Sequence, residues 1–270
     1  MRKSVKNRTI YTVLLLICLV GFWLFENFYT PDTYTSPDGQ SIQTDMPSYV
    51  LPTSTTGAIV NHDYYSLSYN EPFEQAEWVA YPLEKKHLTY DDRKRPYFIE
   101  DPKVKTKSAD WRNYKGSGYD RGHLCPAGDR RFSEYAYNET FYTSNISPQN
   151  REFNAGVWNQ LEIKTRQWVK KNGTHFIITG GVLESGLDEI GEEGVDVPRY
   201  YYKIIAKGSS KDLKAIAFLM QNRPSNKSIK QFVVSIDEIE KRTGIDFFSE
   251  LPDEAEDKLE SKIRIQNWKF

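Results

Sequence analysis

A chain of 270 residues can bury a sizeable core, as one large domain or two small ones. Its 36 Lys and Arg against 37 Asp and Glu leave a formal net charge of −1, which excludes the general basicity of a protein that coats nucleic acid. Any attraction for phosphate must come from a local patch, and two cysteines, Cys18 and Cys125, build no disulfide framework. At the N-terminus, Arg2, Lys3, Lys6 and Arg8 precede an apolar run over residues 10–25, and Glu26 comes directly after it. Cations before such a run hold the N-terminus in the cytoplasm and send the downstream chain across the membrane. As a helix the run is about 24 Å long, against a hydrocarbon core of about 30 Å. Tyr11, Trp23, Phe28 and Tyr29 would make up the difference in the interfacial belts. No small-residue cleavage site follows Phe25, and Leu15-Leu16-Ile17 before Cys18 lacks the small residues of a lipoprotein site. Residues 1–29 are therefore expected to form a signal-anchor that leaves the rest extracytoplasmic; secretion after cleavage is the alternative. Residues 30–57, rich in Pro, Ser, Thr and Asp, read as a solvated linker, and residues 58–270 as one domain.

Residues 64–69 and 78–81 are short aromatic-rich strands on either side of a turn at Asn70-Glu71-Pro72. Residues 85–115 are irregular and carry ten basic side chains against five acidic ones, a local positive excess. Next comes Tyr119-Asp120-Arg121-Gly122-His123-Leu124-Cys125-Pro126-Ala127-Gly128-Asp129, in which Gly122, Pro126 and Gly128 break any regular helix. The spacing predicts a tight polar turn that fixes the direction of His123, as a proton acceptor requires. A short helix is expected within residues 130–142 and a longer one over 155–171, where Val157, Leu161 and Trp168 share an apolar stripe. Lys170-Lys171-Asn172-Gly173 closes the longer helix, which starts at Asn154 or earlier, at Ser147-Pro148. Residues 176–180 form a buried strand and 184–196 a Gly-rich acidic loop. Two more strands at 200–206 and 215–220 are joined by a turn at Gly208-Ser209-Ser210, and a helix over 235–242 ends at Gly244. With no internal repeat and no second core, the fold class is α+β: a central, mostly antiparallel sheet flanked by helices.

The Asp120-Arg121-Gly122-His123 tetrapeptide with Pro126 following, the Asn145-Ile146-Ser147-Pro148-Gln149 segment, Asn154 and Leu161-Glu162 share several independent spacings. Together they resemble the signature of the DNA/RNA non-specific endonucleases, the ββα-metal or His-Me finger nucleases, and the resemblance extends over about residues 64–251. It implies a ββα-metal active site, Mg²⁺ as cofactor with Mn²⁺ as a substitute, DNA and RNA as substrates, and 5′-phosphate products. Asn154 matches the metal-ligating asparagine of that family, although as an asparagine at a helix start it could instead be a cap. His123 suits the general base, because imidazole is substantially neutral at neutral pH. Arg121 and Arg95 are candidate phosphate clamps, since a guanidinium grips two oxygens, with Arg93 a rival to Arg95. Asn145 and Gln149 are candidates to orient the loop or bind substrate. Glu162, two turns beyond Asn154, could orient a water at the metal or could simply face solvent. Asp120 and Asp129 read as turn-shaping residues, Cys125 as packing, and His62, His87 and His175 as surface or strand-end histidines. The sequence contains no HExxH, paired CxxC or aspartate cluster, so a zinc or two-metal centre is poorly supported.

These features add up to a membrane-tethered, metal-dependent endonuclease of low sequence specificity. Two rivals stand beside it: a phosphodiesterase acting on small nucleotides, and a non-catalytic extracytoplasmic nucleic-acid-binding protein. The second has no use for His123.

Overall fold

A computed structural model describes residues 2–28, 33–34 and 46–270, and the chain divides into two units, Met1–Asp32 and Thr33–Phe270. The first unit carries one helix, α1 (Arg2–Phe28). Within it Asn7–Phe25 has a mean hydropathy of 2.0 and no buried residue, so it is long and apolar enough to cross a membrane. Apolar side chains surround it on every side, as suits a signal sequence or an anchor and not an amphipathic surface helix. Tyr29 and half of the expected linker, residues 30–32 and 35–45, lie outside the described residues, as do the Phe28 side chain and those of Arg2, Lys3 and Lys6.

In the second unit the chain is packed before the first strand begins. Val50 is buried, and the Thr53 carbonyl accepts a hydrogen bond from Trp78 Nε1 at 2.8 Å, so residues from 46 onward already line the domain. Strands β1 (Ile59–Asn61), β2 (Ser66–Asn70) and β3 (Gln75–Leu83) form a meander. A long, mostly irregular excursion then leads to β4 (Tyr119–His123), α2 (Glu134–Glu139) and β5 (Ile146–Asn150). One helical turn, α3 (Arg151–Phe153), and a π-helical turn over Asn154–Trp158 lead into α4 (Asn159–Asn172). Strand β6 (His175–Gly181) is followed by the hairpin β7 (Asp188–Ile190) and β8 (Val195–Val197), then by β9 (Tyr200–Lys207), β10 (Lys214–Gln221) and β11 (Val233–Val234). Helices α5 (Ile236–Thr243) and α6 (Asp253–Glu260) come last.

The main sheet has seven strands in the order β1-β2-β3-β6-β9-β10-β11, every neighbouring pair antiparallel. Its interior strand β3 is buried along its whole length, because both faces of the sheet are covered. On one face Val79, Tyr81, Ile177 and Ile205 pack with Val157, Leu161, Trp168 and Val169 from the α4 region. On the other, Trp78, Ala80, Ile178 and Ile204 meet Ile236 and Ile239 of α5 and Phe247 and Phe248 beyond it. The period-two alternation along β3 thus divides its residues between two cores. A third, smaller core holds Phe98, Tyr114, Tyr137, Phe141 and Ile146.

The expected α+β class with its antiparallel sheet is borne out, and several local expectations are not. The stretch through His123 is a strand and not a turn, paired residue for residue with β5 from Tyr119↔Asn150 to His123↔Ile146. Ser147 and Pro148 lie in β5, so the helix cannot begin there. It begins after Asn150, whose Oδ1 accepts from the Glu152 and Phe153 amides at 3.0 and 3.1 Å. The acidic loop over 184–196 contains the β7–β8 hairpin.

Candidate active site

Strands β4 and β5 and the kinked helix after them carry the candidate site residues His123, Arg121 and Asn154. In β4 the neighbour of His123 is a glycine that makes room for Gln149: a Cβ on Gly122 would lie 2.2 Å from Gln149 Cδ, which packs across the strand. Strand β5 is anchored to the main sheet by Ser147, whose hydroxyl is 2.6 Å from Gln75 Oε1 and from the Tyr201 hydroxyl. The π turn contains Gly156 in a non-helical conformation (φ −97°, ψ −112°), and Phe153 and Trp158 at its ends pack on Tyr201. The kink at Gly156 interrupts the regular helical ladder between α3 and α4. Here the turn sets Asn154 against β4, with Nδ2 donating to Asp120 Oδ2 at 3.1 Å.

The His123 ring is held between Phe98, at 5.6 Å between centroids, and Phe141, edge-on at 4.8 Å. Its Nε2 is buried and has no hydrogen-bond partner. Burial, then the positive charges of Arg95 and Arg121, push its pKa down to about 3, so the imidazole is neutral. Both guanidiniums use the same aromatic platform. Arg121 lies 4.7 Å over Phe98 and 5.4 Å over Trp111, and Arg95 lies 5.2 Å over Phe98 and 5.7 Å over Phe141. Neither forms a salt bridge to a described carboxylate. Arg93 is otherwise engaged, donating to the Arg131 carbonyl at 3.0 Å and to Asp91 at 3.2 Å. Arg95 is thus the cation that stands beside His123 and Arg121.

Asn154 is not the helix cap, because Asn150 fills that role. With Nδ2 held by Asp120, its Oδ1 accepts no hydrogen bond from any described residue, which suits one oxygen ligand of a hard cation otherwise bound to water. Among the described residues, no cluster of His, Cys, Asp or Glu with metal-binding spacing includes His123 or Asn154. The site therefore fits a singly anchored Mg²⁺ better than zinc or a two-metal centre.

Several expected roles change. Asn145 is fully buried and its amide is spent on the backbone: Oδ1 accepts from Cys125 N at 2.8 Å, and Nδ2 donates to the Cys125 and Thr140 carbonyls at 3.0 and 2.9 Å. It ties the end of β4 to the start of β5, the loop-orienting alternative of the two expected for it, with both amide hydrogens in use. Gln149 is also fully buried beside Gly122, its amide without a partner among the described residues, so it packs within the strand pair beneath the site. Asp120 positions Asn154, and Asp129 accepts from Arg166 Nε at 2.5 Å and from the Tyr81 hydroxyl at 3.2 Å, so neither merely shapes a turn. Glu162 does not face solvent; Arg166 Nη2 donates to it at 3.3 Å, and burial pushes its carboxyl up against the pull of Lys203 and Arg166. Lys203 lies fully buried nearby, its ammonium 4.6 Å over the Trp158 ring. Cys125 is buried in the core, where burial raises its thiol pKa to about 12. The other three histidines are buried and not on the surface; His175 does begin strand β6 and His62 directly follows β1, at the strand ends expected as the alternative.

Sequence reasoning missed Phe98 and Arg166. Arg166 was open to inference as the i+4 partner of Glu162 on a helix. Phe98 sits in a stretch without periodicity, and nothing local announces that two arginines and a histidine converge on it.

The sequence model of the family described as DNA/RNA non-specific endonuclease matches residues 42–254. The chain belongs to this family. Among its relatives is the mitochondrial nuclease EXOG of Xenopus laevis, 35% identical over 225 residues, covering 76% of this chain and 62% of that protein. The chain thus spans less than two thirds of that EXOG protein. A nuclease of Nostoc is 30% identical over 267 residues, covering 92% of this chain and 95% of its own. The crystal structure of the EndoG/EndoGI complex superposes with a TM-score of 0.69 at 28% identity, covering 82% of this chain and 94% of that one. As a member of the endonuclease family, the chain carries all the site residues inside the matched region, whereas α1 lies ahead of it.

Proposed function

We propose that this chain is a Mg²⁺-dependent endonuclease that hydrolyses DNA and RNA with little sequence specificity and leaves 5′-phosphate ends. Family membership supports the reading, and one observation carries it: a neutral histidine whose buried nitrogen has no partner among the described residues, flanked by two guanidiniums that form no salt bridge to a described carboxylate. His123 accepts a proton from the attacking water. Arg121 and Arg95 bind the phosphoryl oxygens, and binding an anion between them offsets the charges that depress His123, moving its pKa toward the ordinary range. Asn154 Oδ1, oriented by Asp120, would hold the Mg²⁺. When bound, that ion supplies positive charge to the phosphoryl group and to the departing 3′ oxygen, with Mn²⁺ as a substitute. Asp129 and Arg166 hold Glu162 in a buried charge network beside the site. Contacts of this kind reach the phosphate, which every nucleotide carries, and read no base edge.

A nuclease assay on plasmid DNA and on RNA, with Mg²⁺ and with EDTA, tests this directly. Cleavage of both polymers that stops in EDTA is expected. Cleavage confined to small diesters would favour the phosphodiesterase alternative, and binding without cleavage would overturn the catalytic reading. Asn154→Ala should lower activity and raise the Mg²⁺ concentration needed for half-maximal rate; an unchanged metal requirement would remove Asn154 from the metal site.

The same proposal takes α1 as an uncleaved anchor that leaves the nuclease domain extracytoplasmic. The 19-residue apolar helix, about 28 Å long, supports this. Cell fractionation with N-terminal sequencing decides it: a soluble product starting beyond Phe25 would mean a cleaved signal and leave the nuclease reading intact.

A further inference from the structure

On the face of the sheet opposite α4, helices α5 and α6 bring together Asp237, Glu240 and Glu260, with one ligand oxygen of each within 4.8 Å of the others. Asp237 and Glu240 lie one turn apart on α5, and Glu260 is the last residue of α6. Glu240 Oε1 accepts from the Phe247 amide at 2.8 Å, which fixes that carboxylate and leaves its second oxygen for another partner. Glu260 is only 6% exposed, and its Oε1 is buried with no hydrogen-bond partner. Such an oxygen is costly to keep out of water unless something occupies it. Among the described residues no Lys or Arg forms a salt bridge with Asp237, Glu240 or Glu260, and Arg242 pairs instead with Glu238 at 2.7 Å. Burial, reinforced by Glu240, Glu256, Asp237 and Asp246, pushes the Glu260 carboxyl up to about 9, the direction expected where carboxylates crowd without a counter-ion.

We propose that Asp237, Glu240 and Glu260 form a Ca²⁺ site that clasps α6 to α5. The donors are all hard oxygens, which excludes soft-metal chemistry. Three carboxylates drawn from two separate helices make an irregular set, which Ca²⁺ accepts with water completing its shell and which the stricter octahedron of Mg²⁺ does not match. Asp237 is exposed and gives the ion access, while Glu260 forms the floor. An open site of this kind belongs to the weak class, with Kd of about 10⁻⁴–10⁻³ M. Because α5 buries Ile236 and Ile239 in the core beneath it, loading the site fastens that edge of the domain. The site is separate from His123 and Asn154 and does not depend on the nuclease reading.

The test is thermal unfolding of the full chain, freed of metal with EGTA, with and without 10 mM CaCl2, a concentration about tenfold above the weaker Kd. Wild type and Asn154→Ala should both gain about 3 °C with Ca²⁺. Glu260→Gln, which keeps the side-chain volume, should lose the gain, as should the exposed Asp237→Asn, which keeps the test sound if the buried variant folds poorly. Nuclease activity of Asp237→Asn in Mg²⁺ should equal that of wild type. No Ca²⁺ effect on wild type overturns the proposal. So does a gain that persists in both carboxylate variants, or one that Asn154→Ala abolishes, since the ion would then bind elsewhere.

Discussion

His62 and His123 are both packed among aromatic rings, and the adjacent residues Phe141 and Tyr142 each cover one of them. Around His62 every charge has an answer. Its Nε2 lies 2.8 Å from Asp101 Oδ2 and its Nδ1 3.4 Å from Glu139 Oε1, and Asp101 also accepts from Ser144 Oγ. Burial alone would lower the pKa of this ring, but Asp101 and Glu139 outweigh it and raise it to about 9. Around His123 the charges are of like sign, its Nε2 has no partner, and its pKa falls to about 3. His62 is answered by carboxylates from within the fold, whereas His123 stands among cations with a nitrogen that has no partner among the described residues, the pattern of a group that serves chemistry. Mutations can separate the two regions.

The largest effect is expected at His123. His123→Ala should lower the nuclease rate by about 10²–10⁴ and leave the cooperative unfolding transition in place. A well-folded variant with near-wild-type activity would falsify the assignment of His123 as base and erase the contrast.

His62→Gln should behave in the opposite way. Removing one member of a buried ionic cluster strands Asp101 and Glu139, at a cost of about 3–5 kcal/mol in stability, while the activity of the protein that remains folded is kept. Wild-type stability should also depend on pH in a direction set by this ring. Its pKa is higher folded than unfolded, so its contribution is complete below about 6.5 and is lost as pH rises through about 9, amounting to about 3 kcal/mol. Denaturant unfolding across that window reports the slope, which should fall in His62→Gln to the part that Glu260, also raised to about 9, contributes. A slope unchanged by the substitution would place its origin elsewhere.

The contrast also explains what the sequence made legible. Strands β2, β3, β6, β9 and β10 and helices α4 and α5 carry periodic apolar residues that face an extensive core, so their positions can be read from spacing. The Asp-Arg-Gly-His segment gives no such signal. It forms a strand only because β5 lies beside it, a non-local pairing that propensity cannot supply, and its glycine is there to admit Gln149. Residue types announced His123, Arg121 and Asn154 through their family pattern. The burial of Asn145 and Gln149 and the ionic cluster at His62 depend on contacts between distant segments. His62 and Asp101 are 39 residues apart. A lone histidine beside Asp63 in the sequence gives no sign of that partner.

Asn145→Ala should separate a staple from a substrate ligand. It leaves Cys125 N and the Cys125 and Thr140 carbonyls without their side-chain partner, at a cost of about 3 kcal/mol. If Asn145 bound substrate instead, KM would rise with stability unchanged; loss of stability with KM kept marks the staple.

Gly122→Ala is expected to have the smallest effect and bears most directly on how the site is built. The added methyl would meet Gln149 Cδ at 2.2 Å and Cγ at 2.5 Å. Both are side-chain atoms, so Gln149 must move, at a cost of about 1–3 kcal/mol for overpacking. Because Gln149 is fully buried, the strain passes into the β4–β5 pair, where His123 is the next residue, and the nuclease rate should fall with stability. Gln149→Ala removes the obstructing atoms, so the double variant should recover most of what Gly122→Ala loses, giving a coupling of about 1–2 kcal/mol in a double-mutant cycle. Additive losses would mean that Gly122 is needed for its backbone alone, and that Gln149 plays no part in setting the direction of His123.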